Sequence, residues 1–217
     1  MQLVVGNKNY SSWSLRGWLL LRAFGIPFTE VQVWLDAGPE AAAELRRLSP
    51  SARVPCLIDD GLVVWDSLAI AEYVAEKFPA AGIWPRDARH RALARSVCAE
   101  MHSGFTALRK ALPMNIRNRY PAAPIGEDAR ADVARIAAIW RECLQASGGP
   151  FLFGAFSAAD AFFAPVAARL RSYGVTLEAD LERYVDAVLG HTAMKEWCAA
   201  AAVEGHASAT YDDIYPR

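Results

Sequence analysis

The sequence predicts an α/β domain over residues 1–80 and an all-helical domain over residues 87–217. Three observations predict this division. Short runs rich in β-branched residues alternate with helical patterns as far as residue 78. A linker rich in small residues and proline follows at residues 80–85. Beyond this linker the strand patterns stop and apolar residues recur only at helical spacing, so the structural class changes there.

The first half of the α/β domain predicts a strand, a helix and a second strand. Gln2 to Val5 is a short apolar run that ends at Gly6. Serines then precede apolar residues at helical spacing, and a serine oxygen is a natural cap for the free amides of a first helical turn. Gly25-Ile26-Pro27 ends that helix, and Phe28 to Val33 alternates as a strand should. Strands joined in this way should be parallel, with a right-handed crossover.

The second half predicts a short helix, a hairpin and a final helix. Residues 39–48 are helix-like and end at Ser49-Pro50. The runs 56–58 and 62–65 flank an Asp-Gly pair, which is a strong signal for an antiparallel hairpin. Apolar positions at helical spacing follow from Ser67 until Pro79. The order βαβαββα describes a thioredoxin-like domain.

The second domain predicts helices only. An apolar stripe over residues 87–112 predicts one long helix, and residues 127–146 predict another after a loop at 121–124. Ser157 and Asp160 have the spacing of a capping box at the start of a third helix, and we expect them to serve folding alone. Segments near 178–189 and 192–203 complete the domain.

Composition excludes several classes of partner. The formal net charge is −1, with 7 basic and 9 acidic residues in the first 80 and 16 and 15 in the remainder, so no nucleic-acid partner is expected. No apolar run approaches the roughly 18 residues that span a bilayer, and the first residues lack a signal-peptide pattern. We therefore expect no membrane partner and a cytoplasmic location. The four cysteines and four histidines lack metal-ligand or disulfide spacing, so no metal is expected.

Two stretches of the first domain predict a binding site. Pro55 donates no ladder hydrogen bond, so the backbone of Val54 should stay free at a strand edge, and a cis Val54-Pro55 bond would hold it outward. Asp66 and Ser67 lie where a strand gives way to a helix, so a carboxylate and free amides meet at a positive helix end. These groups suit the ammonium and carboxylate of a small zwitterionic peptide.

With these residues in place, the chain resembles the soluble, or cytosolic, glutathione transferase family along nearly its whole length. Three motifs carry the resemblance, at residues 51–57, 66–70 and 157–160. The loop from Ser11 to Arg16 is similar to the serine-type branches, and its double serine to the zeta class, which includes maleylacetoacetate isomerases. The zeta motif has a cysteine where this chain has Trp13.

The resemblance implies that glutathione is the co-substrate. It also implies a role for the residues of each motif in binding or activating glutathione. The backbone of Val54, beside Pro55, would pair with the cysteinyl unit of glutathione. Asp66 and Ser67 would hold its γ-glutamyl end, and Arg53 would face its glycine carboxylate. Ser11 occupies the place of the residue that touches the sulfur, and Ser12 would replace it if the loop is shifted by one residue.

The resemblance also implies a second substrate between the domains and a homodimer. The candidate residues for the electrophile site are Tyr10, Trp13, Met101, Phe105 and Met114, and His102 lies near two of them in sequence. The expected function is a glutathione transferase that adds the thiolate to a small hydrophobic electrophile. A zeta-type isomerase and a non-catalytic interaction module are the alternatives.

Overall fold

The computed structural model describes residues 1–121 and 123–215. Its N-terminal part contains β1 (Gln2–Val5), α1 (Ser12–Ala23), β2 (Thr29–Gln32), α2 (Pro39–Leu48), β3 (Cys56–Asp59), β4 (Leu62–Trp65) and α3 (Ser67–Lys77). The sheet order is β2-β1-β3-β4, with β1 parallel to β2 and antiparallel to β3, and β3 antiparallel to β4. The predicted thioredoxin-like order βαβαββα is confirmed.

The strands bury both faces of the sheet because successive side chains point to opposite sides. Leu3, Val5 and Leu57 join a large core that also contains residues of α1, α3 and the helical part. Val4 and Cys56 lie on the other face, in a smaller cluster with Leu45 of α2 and Val33. The large core runs without interruption from the sheet into the helices, so it fixes the two parts against each other.

The helical part follows a short 3-10 turn at Pro79–Ala81. It contains α4 (Ala88–Ser103), α5 (Thr106–Ala111), α6 (Glu127–Ser147), α7 (Ala158–Ser172), α8 (Ala179–Gly190), α9 (Thr192–Val203) and α10 (Ala209–Asp212). The helices predicted from residues 127, 178 and 192 are present, and the short α10 was not predicted. None of the described helices has the length and apolar character needed to cross a membrane.

The prediction of one helix over residues 87–112 is wrong, because the chain breaks between α4 and α5. A Cβ atom at Gly104 would lie 2.9 Å from the carbonyl oxygen of Glu100, so this extended turn favours glycine. Phe105 then adopts a left-handed conformation with φ 60° and starts α5. The apolar stripe continues across the break, which is why spacing alone did not show it.

The capping box at the start of α7 is confirmed. The carboxylate of Asp160 accepts hydrogen bonds from the backbone N–H of Ser157 at 2.8 Å and of Leu152 at 3.0 Å. The hydroxyls of Ser157 and Tyr184 donate two more hydrogen bonds, at 3.0 Å and 3.1 Å. Burial raises the pKa of Asp160 to about 6 despite these donors. This residue ties α7 to the preceding loop and to α8, and it lines neither of the cavities described below.

Two features of the fold bring the predicted site residues together. The Val54-Pro55 peptide bond is cis. Gly17 of α1 allows that turn to approach closely, since a Cβ atom there would lie 3.2 Å from Cγ of Pro55.

The predicted loop at 121–124 includes Ala122, which lies outside the described residues. Pro216 and Arg217, at the end of the predicted helical domain, also lie outside them.

Candidate active site

The larger of two adjoining cavities has a volume of about 770 Å³ and lies over the end of the sheet. It is lined by the turn before β3, by the start of α3 and by the start of α1. The lining residues are Ser11, Trp13, Leu35, Leu45, Ser51, Ala52, Arg53, Val54, Pro55, Trp65, Asp66, Ser67 and His102. All five residues predicted to bind the peptide therefore meet in one cavity, together with Ser11.

Asp66 and Ser67 present polar groups to this cavity at the N-terminus of α3. Asp66 caps the helix through a 2.8 Å hydrogen bond from the backbone N–H of Leu68. Its backbone has a positive φ of 73°, which is uncommon for a residue other than glycine. The hydroxyl of Ser67 is buried and has no hydrogen-bond partner among the described residues. The helix end thus combines one carboxylate with a free hydroxyl.

His102 reaches the same carboxylate from the helical part of the chain. Its Nε2 lies 3.0 Å from Oδ2 of Asp66, and its ring meets the ring of Trp13 edge-on at 5.1 Å. Burial, aided by the charges of Arg16 and Arg109, lowers the pKa of His102. The imidazole is therefore neutral at pH 7 and can donate its Nε2 proton to Asp66.

Ser11 is the N-cap of α1 and stands where the two cavities adjoin. It accepts a 3.3 Å hydrogen bond from the backbone N–H of Ser14 and donates its own hydroxyl to Oγ of Ser14 at 2.8 Å. Ser14 in turn accepts from the backbone N–H of Gly6. Ser11 lines both cavities. Its hydroxyl is thus held at the positive end of a helix, at the boundary between two binding spaces.

The smaller cavity has a volume of about 350 Å³ and lies between the N-terminal loop and the helical part. Its walls combine aromatic and apolar side chains with two arginines. The lining residues are Asn7, Tyr10, Ser11, Ser12, Trp13, Leu35, Asp36, Arg109, Pro113, Met114, Arg169 and Tyr211. Tyr211 of α10 stacks on Tyr10 with ring centroids 4.9 Å apart, so the C-terminal segment closes one wall.

Trp13 separates the two cavities and is held by two cations. The guanidinium carbons of Arg16 and Arg109 lie 4.4 Å and 5.0 Å from the centre of its ring. Such contacts stabilise both the ring position and the charges. Because Trp13 is still 36% exposed, part of its ring remains open to both cavities.

Three of the five predicted electrophile-site residues line the smaller cavity, namely Tyr10, Trp13 and Met114. The structure places the other two residues, Met101 and Phe105, away from both cavities. Met101 is fully buried in the core and Phe105 almost so, and neither lines a cavity. Both side chains belong to the large hydrophobic core. Met101 contributes only its carbonyl oxygen, which accepts hydrogen bonds from Arg16 and Arg109.

Two family models match the chain. One is the glutathione S-transferase N-terminal domain, over residues 10–77, and the other is the glutathione S-transferase C-terminal domain, over residues 88–200. The chain belongs to the glutathione S-transferase family. The predictions of this family and of its two-part fold are confirmed.

Named relatives of this glutathione S-transferase include isomerases. A probable maleylacetoacetate isomerase of Caenorhabditis elegans is 31% identical over 119 residues, which span 55% of this chain and 54% of that protein. The maleylacetoacetate isomerase of Rattus norvegicus is 28% identical over 167 residues, 76% of each chain. Among solved structures, a glutathione transferase homolog from Burkholderia with bound glutathione has 26% identity and a TM-score of 0.71, covering 92% of this chain and 96% of that one.

Sequence reasoning missed the arginines of this glutathione S-transferase site. Arg169 lies inside the apolar helix α7 and Arg109 inside α5, and both line the smaller cavity. For Arg169 the available signal was a charged residue within a mostly apolar helix, whereas Arg109 lies beside Lys110 and gave no such signal. His102 was noted near the second substrate, whereas the structure places it in the larger cavity against Asp66.

Proposed function

We propose that this chain binds glutathione in the larger cavity and activates its thiol through Ser11 for addition to a small electrophile in the smaller cavity. The observation that carries the proposal is the position of Ser11, whose side chain lines both spaces. A thiolate beside this hydroxyl would face the glutathione residues on one side and the electrophile on the other. Proximity of this kind is a main source of catalysis in two-substrate reactions.

The free energy needed to activate the thiol is within reach of the groups present. A free thiol has a pKa of about 8.5, and lowering it by about 2 units takes about 2.7 kcal/mol. A hydrogen bond to a charged group contributes about 1.5–3 kcal/mol, and a helix N-terminus about 0.3–1 kcal/mol. A serine hydroxyl at the start of α1 therefore suffices without a general base.

Ser14 supports the donor role of Ser11. Both side chains are hydroxyls, so the hydrogen bond between them can run in either direction. When Ser14 donates to Ser11, the proton of Ser11 is free to point at the sulfur. Ser12 has a different environment, because it lines only the smaller cavity and accepts a hydrogen bond from Arg169 at 3.1 Å. The geometry thus favours Ser11 over Ser12 as the residue that meets the sulfur.

The residues that line the larger cavity provide the remaining contacts proposed for glutathione. We assign the γ-glutamyl end to Asp66 and Ser67, the cysteinyl backbone to Val54 beside Pro55, and the glycine carboxylate to the exposed Arg53. On this proposal residues 1–80 form the glutathione-binding domain and residues 87–217 contribute the electrophile site. Glutathione is a co-substrate here, and no group of acidic, histidine or cysteine side chains in the described part of the chain is arranged to hold a metal ion.

Two other functions are distinguished by specific observations. A glutathione-dependent isomerase of the maleylacetoacetate type is supported by the names of the relatives, although Trp13 stands where the zeta motif has a cysteine. A non-catalytic interaction module would not need an intact serine and peptide-binding set in one cavity. We therefore rank the transferase first and the isomerase second.

We also propose a homodimer and a cytoplasmic detoxification role. Large apolar side chains are exposed on the edge strand β4, namely Leu62 and Trp65, which suits an interface with a second copy. All four cysteines are free, as expected in a reducing compartment. Cell fractionation would test the location, and the dimer is tested below.

Calorimetry with glutathione, followed by assays with a neutral electrophile and with maleylacetone, tests the function. Replacing Ser11 by alanine should lower kcat/KM roughly 10- to 150-fold, the factor of one charged hydrogen bond, while the Kd of glutathione changes little. Ser96→Ala is the matched control, because Ser96 is an exposed serine that bonds only its own helix. Equal losses in turnover and binding would assign Ser11 to binding alone, and no heat with glutathione would leave only the interaction module.

A further inference from the structure

We propose that Glu204, which directly follows α9, is a positioning residue that holds Ser11 where its hydroxyl can meet the glutathione sulfur. Glu204 lines neither cavity, so it acts through the backbone loop that leads into α1. This inference rests on the proposed function for its premise that Ser11 donates to the sulfur. It gives a part in the reaction to a residue near the other end of the chain.

The loop before Ser11 is a tight turn whose own hydrogen bonds fix only part of it. The carbonyl oxygen of Asn7 accepts hydrogen bonds from the backbone N–H of Tyr10 at 3.2 Å and of Ser11 at 2.8 Å. The two successive N–H groups of Lys8 and Asn9 find their acceptor outside the turn. Successive backbone amides of this kind form a concave site for an anion.

Glu204 occupies that site with both oxygens of its carboxylate. Oε1 accepts a hydrogen bond from the backbone N–H of Lys8 at 2.6 Å, and Oε2 accepts one from that of Asn9 at 3.0 Å. The carboxylate forms no ion pair with any residue in the described part of the chain. Hydrogen bonds to a charged acceptor are roughly twice as strong as neutral ones, so this two-point contact restrains the turn strongly.

A second set of contacts fixes the same turn from the loop after α5. The side-chain oxygen of Asn9 accepts hydrogen bonds from the backbone N–H groups of Ile116 and Arg117, each at 2.9 Å. Arg117 also donates to the carbonyl oxygen of Glu204 and, at 2.8 Å, to the hydroxyl of Tyr10. Glu204 is thus joined to the turn both directly and through Arg117.

The turn determines where Ser11 lies, because the chain passes from Tyr10 directly into this N-cap of α1. A displacement of about 1 Å in a catalytic group can cost on the order of 10²-fold in rate. The residues proposed to bind glutathione belong instead to the start of α3 and to the turn before β3. Loss of the Glu204 contact should therefore weaken activation of the thiol and leave glutathione binding nearly unchanged.

A merely electrostatic role of Glu204 predicts the opposite sign. Removing a negative charge near the site would favour the thiolate and lower the pKa of the thiol. Loss of the positioning contact would weaken the hydrogen bond from Ser11 and raise the pKa of the thiol. Glu204→Gln separates the two, since glutamine has nearly the same shape but no charge and only one acceptor oxygen.

The test measures kcat/KM for a neutral electrophile against pH with glutathione at saturation, which reports the pKa of the bound thiol. In Glu204→Gln we expect the midpoint to rise by about half a unit and kcat/KM below it to fall about threefold, the factor of that shift. Ultraviolet titration of the bound thiolate gives the same pKa without turnover. The other titrating groups at the cavities are the same in every variant, so they do not enter the comparison; they include Asp36, Asp66 and His102.

Glu182→Gln is the matched control. Glu182 of α8 also accepts a hydrogen bond from a loop N–H, that of Leu177 at 2.8 Å, but it lines neither cavity. Its replacement should leave the pH profile unchanged even where thermal unfolding shows an equal loss of stability in both variants. If Glu204→Gln does not unfold cooperatively, Glu204→Asp takes its place, because it keeps the charge but is one carbon shorter and should also raise the midpoint.

A double variant shows whether Glu204 acts through Ser11. In the Ser11→Ala background, Glu204→Gln should cause no further shift of the midpoint, because two residues that act through one contact are not additive. An unchanged or lowered midpoint in Glu204→Gln, or an equal shift with and without Ser11, would overturn the positioning role while the proposed function stands. A wild-type midpoint and rate in Ser11→Ala itself would overturn the proposed activation by Ser11 instead.

Discussion

At the scale of single residues, environment separates side chains that are alike in the sequence. Ser11 and Ser12 are adjacent serines before the same helix. Ser11 caps α1 and reaches both cavities, whereas Ser12 turns toward the helical part and bonds Arg169. The direction of each side chain at the helix start decides which chemistry it can take part in.

His102 provides a prediction about pH at the same scale. Burial lowers the pKa of His102, so at pH 7 the ring is neutral and leaves Asp66 with its full negative charge. Below pH 6.5, as the ring gains a proton, an imidazolium 3.0 Å from Asp66 would compete with the ammonium of glutathione. The Kd of glutathione in the wild type should therefore rise severalfold on acidification from pH 8 to pH 5.

In His102→Gln this rise should disappear, because the amide does not titrate. His90→Gln is the control, since His90 lies on the same helix α4 but lines neither cavity. Calorimetry between pH 5 and pH 8 measures the effect. An identical pH dependence in His102→Gln and the wild type would show that His102 does not influence glutathione binding.

At the scale of elements, the break between α4 and α5 builds part of the site. The end of α4 leaves the carbonyls of Met101 and Gly104 free, and both accept hydrogen bonds from Arg109. A continuous helix would occupy these carbonyls with its own amides. The break therefore positions an arginine that lines the smaller cavity.

Gly104→Ala tests the importance of this break. The added Cβ atom would lie 2.9 Å from the carbonyl oxygen of Glu100, which is rigid backbone. We expect the free energy of unfolding to fall by about 1–3 kcal/mol, as for other overpacked positions. Gly205→Ala is the control, because a Cβ atom there meets nothing within 4 Å. Urea unfolding curves that coincide for the two variants would contradict the steric explanation.

At the scale of the whole molecule, both cavities depend on contacts between distant parts of the chain. Glu204 accepts hydrogen bonds from the backbone N–H groups of Lys8 and Asn9, and Asp212 accepts one from Tyr10. The C-terminal segment is thereby fixed against the first loop, and Tyr211 becomes a wall of the smaller cavity. The second binding space exists only when both parts of the chain are folded together.

The proposed homodimer is a prediction at this scale. Leu62 on the edge strand β4 is 50% exposed and lines neither cavity, so its replacement by glutamate should disrupt an interface without altering the site. Light scattering should show a dimer for the wild type and a monomer for Leu62→Glu. Val203→Glu, at a position 84% exposed on α9, should remain dimeric. A wild-type monomer, or a dimeric Leu62→Glu, would remove the basis for this interface.

The sequence by itself determined the order of elements in the first 80 residues, the family, and the five peptide-binding residues that meet in the larger cavity. Periodicity, the Asp-Gly hairpin signal and serine caps act over a few residues, so they can be recognised locally. The family motifs at residues 51–57 and 66–70 then implied that Val54 and Asp66 belong to one site, and both line the same cavity.

Only the tertiary structure decided the character of the second space. Ser12 and Arg169 are 157 positions apart, and their hydrogen bond forms only when α1 packs against the helical part. Helical spacing likewise could not reveal the break at Gly104, because the apolar stripe continues across it while the backbone turns. Long-range packing, which leaves no local pattern in the chain, is therefore what brought the arginines together and made the pocket positively charged.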